Sequence, residues 1–317
     1  MKLSFIIPAY NEEESLEQLY NEIVQSRGEH QYEILFIEDG SQDKTFSVMQ
    51  QLAEKDSNVK VIKFRKNFGK AAALQTGFNY ADGDVIFTMD ADLQDNPAEI
   101  TRFLEKIGEG YDLVTGWKKK RHDPLNKKIP SRFFNFITSL FFGLKLHDYN
   151  CGFKAYRKEA VAELDIYGEM HRYIPALAHS KGFKVGEIVV EHRSRQYGRS
   201  KYGMERYFRG FLDLLTVKLL THYARSPLYL FGNMGAIISM LGVLIATYLT
   251  VLKLFFHQSL SNRPLLFLAV LLIMVGLQFF SVGLLSELMV NQNRRLNRKK
   301  QISVEKLINI READDVR

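Results

Sequence analysis

Short runs of bulky apolar residues alternate with longer amphipathic segments over about the first 115 residues of the chain. Apolar runs of this length that end in turn residues or acids are typical of buried strands, and the segments between them have helical spacing. The predicted strands are 3–7, 32–37, 59–64, 84–89 and 113–116, and the predicted helices are 16–24, 43–55, 70–80 and 97–107. We expect Ser15 or a nearby acid to cap the first helix. This alternation predicts an α/β domain with a largely parallel sheet.

Polar residues follow three of these predicted strands. They are Tyr10, Asn11 and Glu12 after the first strand, Glu38 and Asp39 after the second, and Asp90, Asp92 and Gln94 after the fourth. Because open α/β sheets bind ligands beyond the carboxyl ends of their strands, we expect these residues to meet at one edge. A solvated acidic turn is the alternative for the D-x-D triplet taken alone, and the two other acidic strand ends argue against it.

The spacing of Asp90 and Asp92 favours a metal site. In a continuing strand, residues two apart point to the same face, so both carboxylates would lie on one side. Two such oxygen donors, followed by the carbonyl of Gln94, suit Mg²⁺ or Mn²⁺ carrying a diphosphate. The chain has no G-x-G-x-x-G and no G-x-x-x-x-G-K-[ST] motif, so a metal would have to hold the phosphates.

The last third of the chain predicts membrane attachment. Two uncharged apolar runs, 228–251 and 264–286, are each long enough to cross a hydrocarbon core that needs about 20 residues. Basic residues precede the first run and follow the second, so the positive-inside tendency places both the large domain and the tail in the cytoplasm. We therefore expect two transmembrane helices within 228–288 and a basic cytosolic tail over 289–317.

Two further segments combine aromatic and basic residues. The segment near 131–146 and the juxtamembrane segment 201–227 are expected to be amphipathic helices lying in the membrane interface. A core-packing helix is the alternative for the first of them. The formal net charge of the chain is +7, and its basic residues lie beside apolar segments, so nucleic-acid binding is not expected.

Six motifs together carry a resemblance to a known family. They are I-I-P-A-Y-N-E-E-E at 6–14, E-D-G-S-Q-D-K-T at 38–45, N-F-G-K at 67–70, D-A-D-L-Q-D at 90–95, D-Y-N-C-G-F-K at 148–154 and R-Q-Y-G-R-S-K-Y at 195–202. Over about residues 3–226 the sequence resembles family 2 glycosyltransferases, in particular the dolichyl-phosphate mannosyltransferase-like and bacterial polyprenyl-phosphate glycosyltransferases. The resemblance implies a GT-A fold, expected over residues 1–200.

The resemblance also implies roles for individual residues. Donor binding is implied for Pro8, Ala9, Tyr10, Glu12, Asp39, Lys70, Asp90 and Ala91, and metal binding for Asp92 and Gln94. Contact with the acceptor phosphate is implied for Lys118, Lys119, Arg132, Arg195, Ser200 and Lys201. Some bacterial relatives have an acid within the segment that matches 150–153, where this chain has Gly152. Asp148 is the nearest acid, and it either takes a catalytic role or only orients the loop that follows.

The function implied is metal-dependent, inverting transfer of a hexose from a nucleotide sugar to a polyprenyl phosphate at the cytoplasmic membrane face. A donor like UDP-glucose is favoured, with GDP-mannose as the alternative, and a homo-oligomer is plausible. A processive polysaccharide synthase would carry a Q-x-x-R-W motif, but the only tryptophan, Trp117, lies in Gly-Trp-Lys. A membrane protein that binds sugar nucleotides without turnover is the remaining alternative.

Overall fold

The N-terminal unit is built on one mixed β-sheet with helices on both faces. The computed structural model describes residues 1–119, 135–194, 216–217, 227–256, 264–293 and 304–308. Its strands are β1 (Lys2–Ala9), β2 (Gln31–Glu38), β3 (Val59–Phe64), β4 (Val85–Thr88), β5 (Leu113–Trp117), β6 (Lys154–Arg157), β7 (Val185–Val189) and β8 (Val304–Ile308). Across the sheet the order is β7-β5-β6-β4-β1-β2-β3-β8.

The helices of this unit form two layers, one on each face of the sheet. They are α1 (Leu16–Ser26), α2 (Thr45–Lys55), α3 (Lys70–Tyr80), α4 (Ile100–Gly108), α5 (residues 135–142), α6 (Lys158–Ala162) and α7 (Ile174–Ser180), with 3-10 turns at Pro97–Glu99 and Met170–Tyr173. One apolar core contains side chains of α1, α2 and α4, and the other contains side chains of α3, α5, α6 and α7. The neighbours Phe5 and Ile6 on β1 belong to different cores, since successive strand residues point to opposite faces.

The direction of the strands confirms the α/β prediction and refines it. Strands β1 to β4 pair in parallel, with β1 between β4 and β2. Strand β6 runs antiparallel to both β4 and β5, and β7 is parallel to β5. The carboxyl ends of β1, β2, β3, β4, β5 and β7 therefore lie at one edge of the sheet, together with the amino end of β6.

The predicted elements up to residue 117 are all present, and their limits shift by a few residues. β3 and α3 have the predicted limits. The expected capping of α1 by Ser15 is wrong, because the Ser15 hydroxyl donates to Glu12 O at 3.0 Å and makes no side-chain cap. Strand β8, in the tail, was not expected; it pairs antiparallel with the outer edge of β3.

Helix α5 lies within the segment near 131–146 that was expected at the membrane interface, and its apolar side chains are divided between core and surface. Phe142 is buried in the second core, and Ile137 and Phe141 pack against it. Phe136 is 65% exposed and Leu140 is 68% exposed, whereas Asn135 and Thr138 are buried. The Asn135 amide donates to His147 O at 2.6 Å. One face of α5 therefore packs on the core, as the alternative expected, and the interfacial prediction for this segment depends on the exposed Phe136 and Leu140. The other such segment, 201–227, lies almost wholly outside the described residues.

The second compact unit contains two long apolar helices, Pro227–Phe256 and Pro264–Asn293. The stretches that could cross a membrane are Pro227–Phe256 and Pro264–Ser286, with mean hydropathies of 2.1 and 2.6. The two helices approach closely at glycines: a Cβ on Gly235 would lie 2.5 Å from Gly276 O. Small residues at the contact are typical of helices packed in a membrane, so the expected two-helix hairpin is present.

Candidate active site

The candidate site lies where the chain changes direction within the sheet. After β3 the chain crosses back over β2 and β1 to form β4, which pairs with β1. From β1 the chain continues towards β2 on one side of the sheet, and β4 lies on the other side of β1. A crevice at such a switch point is the usual ligand site of an open α/β sheet. The loops after β1, β2, β3, β4 and β5 and the segment before β6 all contribute residues here.

The loops after β1 and β2 are joined by hydrogen bonds. The Asn11 backbone N–H donates to Ser41 Oγ at 3.0 Å, and the Gln42 N–H donates to Asn11 Oδ1 at 2.8 Å. The Glu12 N–H donates to Thr45 Oγ1 at 2.8 Å. Asn11 has φ 53°, in the left-handed region that asparagine tolerates better than most residues. These contacts fix the main chain around Tyr10 and Glu12 as one wall of the crevice.

Asp39 ties the end of β2 to the start of α3. Its Oδ1 accepts the Phe68 backbone N–H at 2.7 Å, and its Oδ2 accepts the Gly69 N–H at 3.0 Å. Burial raises the pKa of Asp39 to about 6, partly opposed by these two hydrogen bonds, and Glu38 adds to the rise. Gly40 has φ +72°, and a Cβ there would lie 2.5 Å from Asn67 N, so only glycine fits beside this contact.

Asp90 lies between a lysine and a glycine. Its carboxylate forms an ion pair with Lys70, the first residue of α3. On the other side, a Cβ on Gly152 would lie 2.5 Å from Asp90 Oδ2. Burial disfavours the charged carboxylate, but Lys70, Lys118 and Lys154 outweigh it and hold the pKa of Asp90 well below its usual range. Asp90 is therefore an anion closely surrounded by ammonium groups.

Lys118 points from the end of β5 towards the same loop. Its Nζ lies 2.9 Å from Oδ1 of Asp95, a side chain that is 1% exposed. Burial works against the ammonium, but Asp95 and then Cys151 and Asp90 raise the pKa of Lys118 above its ordinary value. Lys118, expected at the acceptor phosphate, therefore has a carboxylate partner of its own.

The expectation that Asp90 and Asp92 share a strand face is wrong. β4 ends at Thr88, so both aspartates lie in the loop beyond it. Leu93, which follows Asp92, has φ 59° although it is buried and apolar, and this left-handed residue turns the chain sharply. Within the turn, the Gln94 N–H donates to Asp92 Oδ1 at 3.2 Å. The turn, and not strand alternation, sets where the Asp92 carboxylate lies.

Asp92 and Gln94 have the donor chemistry of a divalent-cation site shared with a substrate. A carboxylate and an amide oxygen are the hard donors that Mg²⁺ and Mn²⁺ prefer. Among the residues that the structure describes, no group of three or more histidine, cysteine, aspartate or glutamate side chains could hold a metal ion. A two-donor set fits Mg²⁺ or Mn²⁺ that completes its coordination with phosphate oxygens and water.

The segment before β6 is buried behind the site. Asp148 is fully buried, and its Oδ1 accepts the Asn150 N–H at 3.0 Å, so it orients the loop that follows. Lys154 is 3% exposed and donates from Nζ to Cys151 O. Burial, followed by the nearby Lys70, lowers the pKa of Lys154. These placements favour the orienting role for Asp148 over a catalytic one.

His171 adds a neutral group near Lys70 and Lys154. Burial, and then Lys70 and Arg172, lower the pKa of His171 well below 6.5, so its imidazole is uncharged at neutral pH. Its Nδ1 is buried and has no hydrogen-bond partner in the described part of the chain.

The structure collects most of the predicted site residues at this edge. Pro8 and Ala9 end β1, Tyr10 and Glu12 follow it, Asp39 follows β2, Lys70 begins α3, and Asp90, Ala91, Asp92 and Gln94 follow β4. Lys119 follows β5, where its Nζ lies 5.4 Å from the centre of the Trp117 ring. The predicted acceptor residues Arg132, Arg195, Ser200 and Lys201 lie outside the described residues.

Several residues at the site were not predicted. Asp95 and Lys154 lie within two of the quoted motifs. The sequence therefore marked their positions but did not indicate what either residue contacts. Gly152 was noted as a departure from relatives, but its contact with Asp90 joins residues far apart in sequence. His171 and Arg193 have no local pattern that distinguishes them from surface residues.

Comparison with known proteins agrees with this geometry. A family model described as "Glycosyl transferase family 2" matches residues 4–165. Dodecaprenyl-phosphate galacturonate synthase of Rhizobium johnstonii is 35% identical over 295 residues, which cover 91% of this chain and 87% of that protein. Undecaprenyl-phosphate 4-deoxy-4-formamido-L-arabinose transferase of Proteus mirabilis is 33% identical over 317 residues, covering 99% of this chain and 96% of that protein.

Solved structures identify the fold. Mannosyl-3-phosphoglycerate synthase of Rubrobacter xylanophilus matches with a TM-score of 0.56 at 14% identity, over 69% of this chain and 74% of that chain. Glucosyl-3-phosphoglycerate synthase of Mycobacterium tuberculosis, crystallised with Mn²⁺ and UDP-glucose, matches with a TM-score of 0.52 at 19% identity. The match covers 69% of this chain and 79% of that chain. At this identity the likeness shows the fold alone, which is the GT-A fold expected from the motifs.

Proposed function

This chain belongs to glycosyl transferase family 2, and we propose that it transfers the sugar of a UDP-sugar to a polyprenyl phosphate at the cytoplasmic face of a membrane. One observation carries the proposal: the ends of β1, β2 and β4 bring Tyr10, Asp39 and Asp92 to one crevice in a chain that also has an apolar helical hairpin. The two curated relatives, named as transferases or synthases of polyprenyl-phosphate sugars, match nearly the whole chain, including the hairpin.

The reaction needs no proton transfer from the acceptor. A phosphate monoester with a second pKa near 6 is largely a dianion at neutral pH. One of its oxygens attacks the anomeric carbon, a new carbon–oxygen bond forms, and the bond to the diphosphate breaks with its electron pair. Attack from the side opposite the leaving group inverts the anomeric centre. A buried Asp148 is consistent with this chemistry, because no general base has to reach the acceptor.

The leaving nucleoside diphosphate needs its growing negative charge neutralised. Asp92 and Gln94 would hold Mg²⁺ or Mn²⁺, which acts as a Lewis acid on the diphosphate when bound. Lys70, at the N-terminus of α3, has its ammonium at Asp90 and within reach of a phosphate in the same crevice. Acceptor placement is assigned to Lys119, Arg132, Arg195, Ser200 and Lys201 on the family resemblance. Lys118 is assigned there with less support, since Asp95 already neutralises it.

The topology of the chain supports a cytoplasmic site. Two spans return a chain to the side of the membrane that it left. The tail strand β8 pairs with β3 of the N-terminal sheet, so residues before and after the hairpin belong to one compact unit. Together with the basic residues around the spans, this pairing supports placing the GT-A domain and the tail in the cytoplasm. Exposed Phe136 and Leu140 on α5 would then contact lipid.

A product assay tests the function. The full chain in detergent would be incubated with Mn²⁺, undecaprenyl phosphate and one radiolabelled donor at a time: UDP-glucose, UDP-galacturonate or GDP-mannose. The second donor is included because the Rhizobium relative is named for galacturonate. We expect a chloroform-soluble labelled product with a UDP-sugar, and none when Mn²⁺ is chelated. Product from GDP-mannose alone would contradict the proposed base, and no product from any donor would contradict the transferase.

Donor binding is expected to depend on pH through Asp39. Its pKa is raised to about 6, so the carboxylate is ionised above that pH and protonated below it. An ionised carboxylate accepts the N3–H of uracil, so affinity should fall about tenfold for each unit below pH 6. Calorimetric titration with UDP-glucose measures this cleanly, because both phosphates are esterified and do not titrate in that range. The Asp39→Asn variant should bind UDP-glucose more weakly at pH 7, and its affinity should not change with pH below 6. If its affinity falls with pH as in the wild type, another group causes the pH dependence.

A further inference from the structure

Three consecutive residues of the proposed metal loop are held by the segment after β7. The Arg193 N–H donates to Gln94 O at 3.0 Å, Asp95 and His192 form an antiparallel bridge, and the Asn96 amide donates to Glu191 at 2.8 Å. Residues 94–96 and 191–193 therefore lie side by side, joined by one isolated antiparallel bridge and by the hydrogen bonds on either side of it. None of these contacts is implied by the six motifs, because they join residues about 95 positions apart.

Arg193 connects these two segments to α1. Its Nη2 donates to Asn96 Oδ1 at 2.7 Å, and its Nη1 donates to Glu22 on α1 at 2.6 Å. The planar guanidinium thus spans the loop after β4 and the helix after β1 with two directed hydrogen bonds, as a lysine ammonium would not. Asn96 also accepts the Ala98 N–H at 3.1 Å at the start of the next helical turn, so the arginine is attached to a fixed point.

The same residue orients the Gln94 side chain. The Gln94 Nε2 lies 3.5 Å from Arg193 O, to which it donates. An amide whose nitrogen faces this carbonyl has its own oxygen directed the other way and available to a cation. The preceding turn contains the left-handed residue Leu93, a conformation that persists only where its surroundings hold it. Loss of the support behind a metal ligand typically changes metal affinity by about 10- to 100-fold. The carbonyl itself remains in any Arg193 variant, so a side-chain substitution tests whether the guanidinium holds that carbonyl in place.

From these contacts we infer that Arg193 is a positioning residue of the donor–metal site: it clamps residues 94–96 between α1 and the segment after β7, and so sets the Gln94 oxygen. The inference rests on the proposed function, because it assigns Gln94 to a cation shared with a nucleoside diphosphate. Arg193 itself contacts neither substrate nor cation. Its loss should therefore weaken Mn²⁺ binding in the presence of UDP and raise the KM for the donor more than it lowers kcat.

Mn²⁺ binding to the full chain in detergent tests the clamp. Free Mn²⁺ would be measured by electron paramagnetic resonance during titration in the presence of saturating UDP. We expect Arg193→Ala to raise the Kd for Mn²⁺ about tenfold. Arg193→Lys should recover only part of this, because an ammonium is a point charge without the planar fork that donates to Glu22 and Asn96 at once. Glu22→Gln leaves Arg193 in place and should shift the Kd about threefold in the same direction, so the test does not depend on the alanine variant folding.

Arg102→Ala is the matched control. Arg102, on α4, also links a helix to this side of the sheet, donating to Val189 O at the end of β7 at 2.9 Å and pairing with Glu99. Within the described part of the chain it makes no hydrogen bond or ion pair with residues 92–96. The Arg102→Ala variant should leave the Kd for Mn²⁺ unchanged. A wild-type Kd in Arg193→Ala would overturn the clamp, whatever happens to the melting temperature. A wild-type chain that binds no Mn²⁺ with UDP would instead overturn the proposed donor site.

Discussion

Replacing Asp92 with asparagine is expected to lower kcat/KM for lipid-linked product by about 10²- to 10³-fold. The asparagine keeps an Oδ1 that can accept the Gln94 N–H, so the turn at Leu93 is preserved. What is lost is the negative charge that, in the proposed mechanism, would hold a divalent cation against the leaving diphosphate. Initial rates at several Mn²⁺ concentrations measure the effect, and a higher Mn²⁺ requirement should accompany the lower rate.

Asp148→Asn is the control for this substitution. It also keeps an acceptor for the Asn150 N–H, in a side chain that is fully buried. If Asp148 only orients its loop, this variant should lose less than about tenfold in kcat/KM once its folded fraction is accounted for. Equal losses in the two variants would reject the separate roles assigned here. An Asp92→Asn enzyme with more than a tenth of wild-type activity would remove Asp92 from the metal site.

Gly152→Ala should lower kcat/KM by about 10²-fold, although it adds a single methyl group. That Cβ would lie 2.5 Å from Oδ2 and 2.7 Å from Cγ of Asp90, which is closer than two such atoms can approach. The carboxylate must move, and its ion pair with Lys70 must change with it. A displacement of about 1 Å at reacting groups can cost 10²-fold in rate. Donor KM and kcat of the purified variant measure the loss.

A double-mutant cycle isolates the cause of that loss. Asp90→Ala removes the atoms with which the new methyl group would collide, so adding Gly152→Ala to it should cost nothing further. Gly108→Ala is a matched glycine control, because a Cβ there meets no atom within 4 Å. Additive losses in the double variant would show that Gly152 acts through another contact, such as the Thr88 hydroxyl that donates to its carbonyl at 2.8 Å.

The close approach of Gly152 to Asp90 accounts for the glycine at this position of the sequence. Some bacterial relatives were expected to carry an acid within the segment matching 150–153, where the present chain has Gly152. A carboxylate on residue 152 would have to occupy the space of the Asp90 carboxylate, and the two anions would also repel each other. Glycine is therefore required by the position that Asp90 adopts here. In this chain, packing against Asp90 is the reason that no acid stands at position 152.

The sequence by itself determined the elements of the first 117 residues. Short apolar runs that alternate with amphipathic segments favour strands covered by helices, and β3 and α3 were predicted to the residue. The uncharged runs likewise fixed the helical hairpin, because length and composition alone decide whether a segment can cross a membrane. The motifs identified the family, and with it the residues at Asp39, Asp92 and Gln94.

Only the tertiary structure decided how those residues work together. The placement of Asp92 depends on a left-handed turn at Leu93, which no alternation pattern reveals. The pairing of Lys118 with Asp95, the contact of Gly152 with Asp90 and the clamp of Arg193 on Asn96 each join distant segments. Local sequence sets backbone preferences and periodicity, but the partner of a charged group is set by which loops the strand order brings to one edge of the sheet.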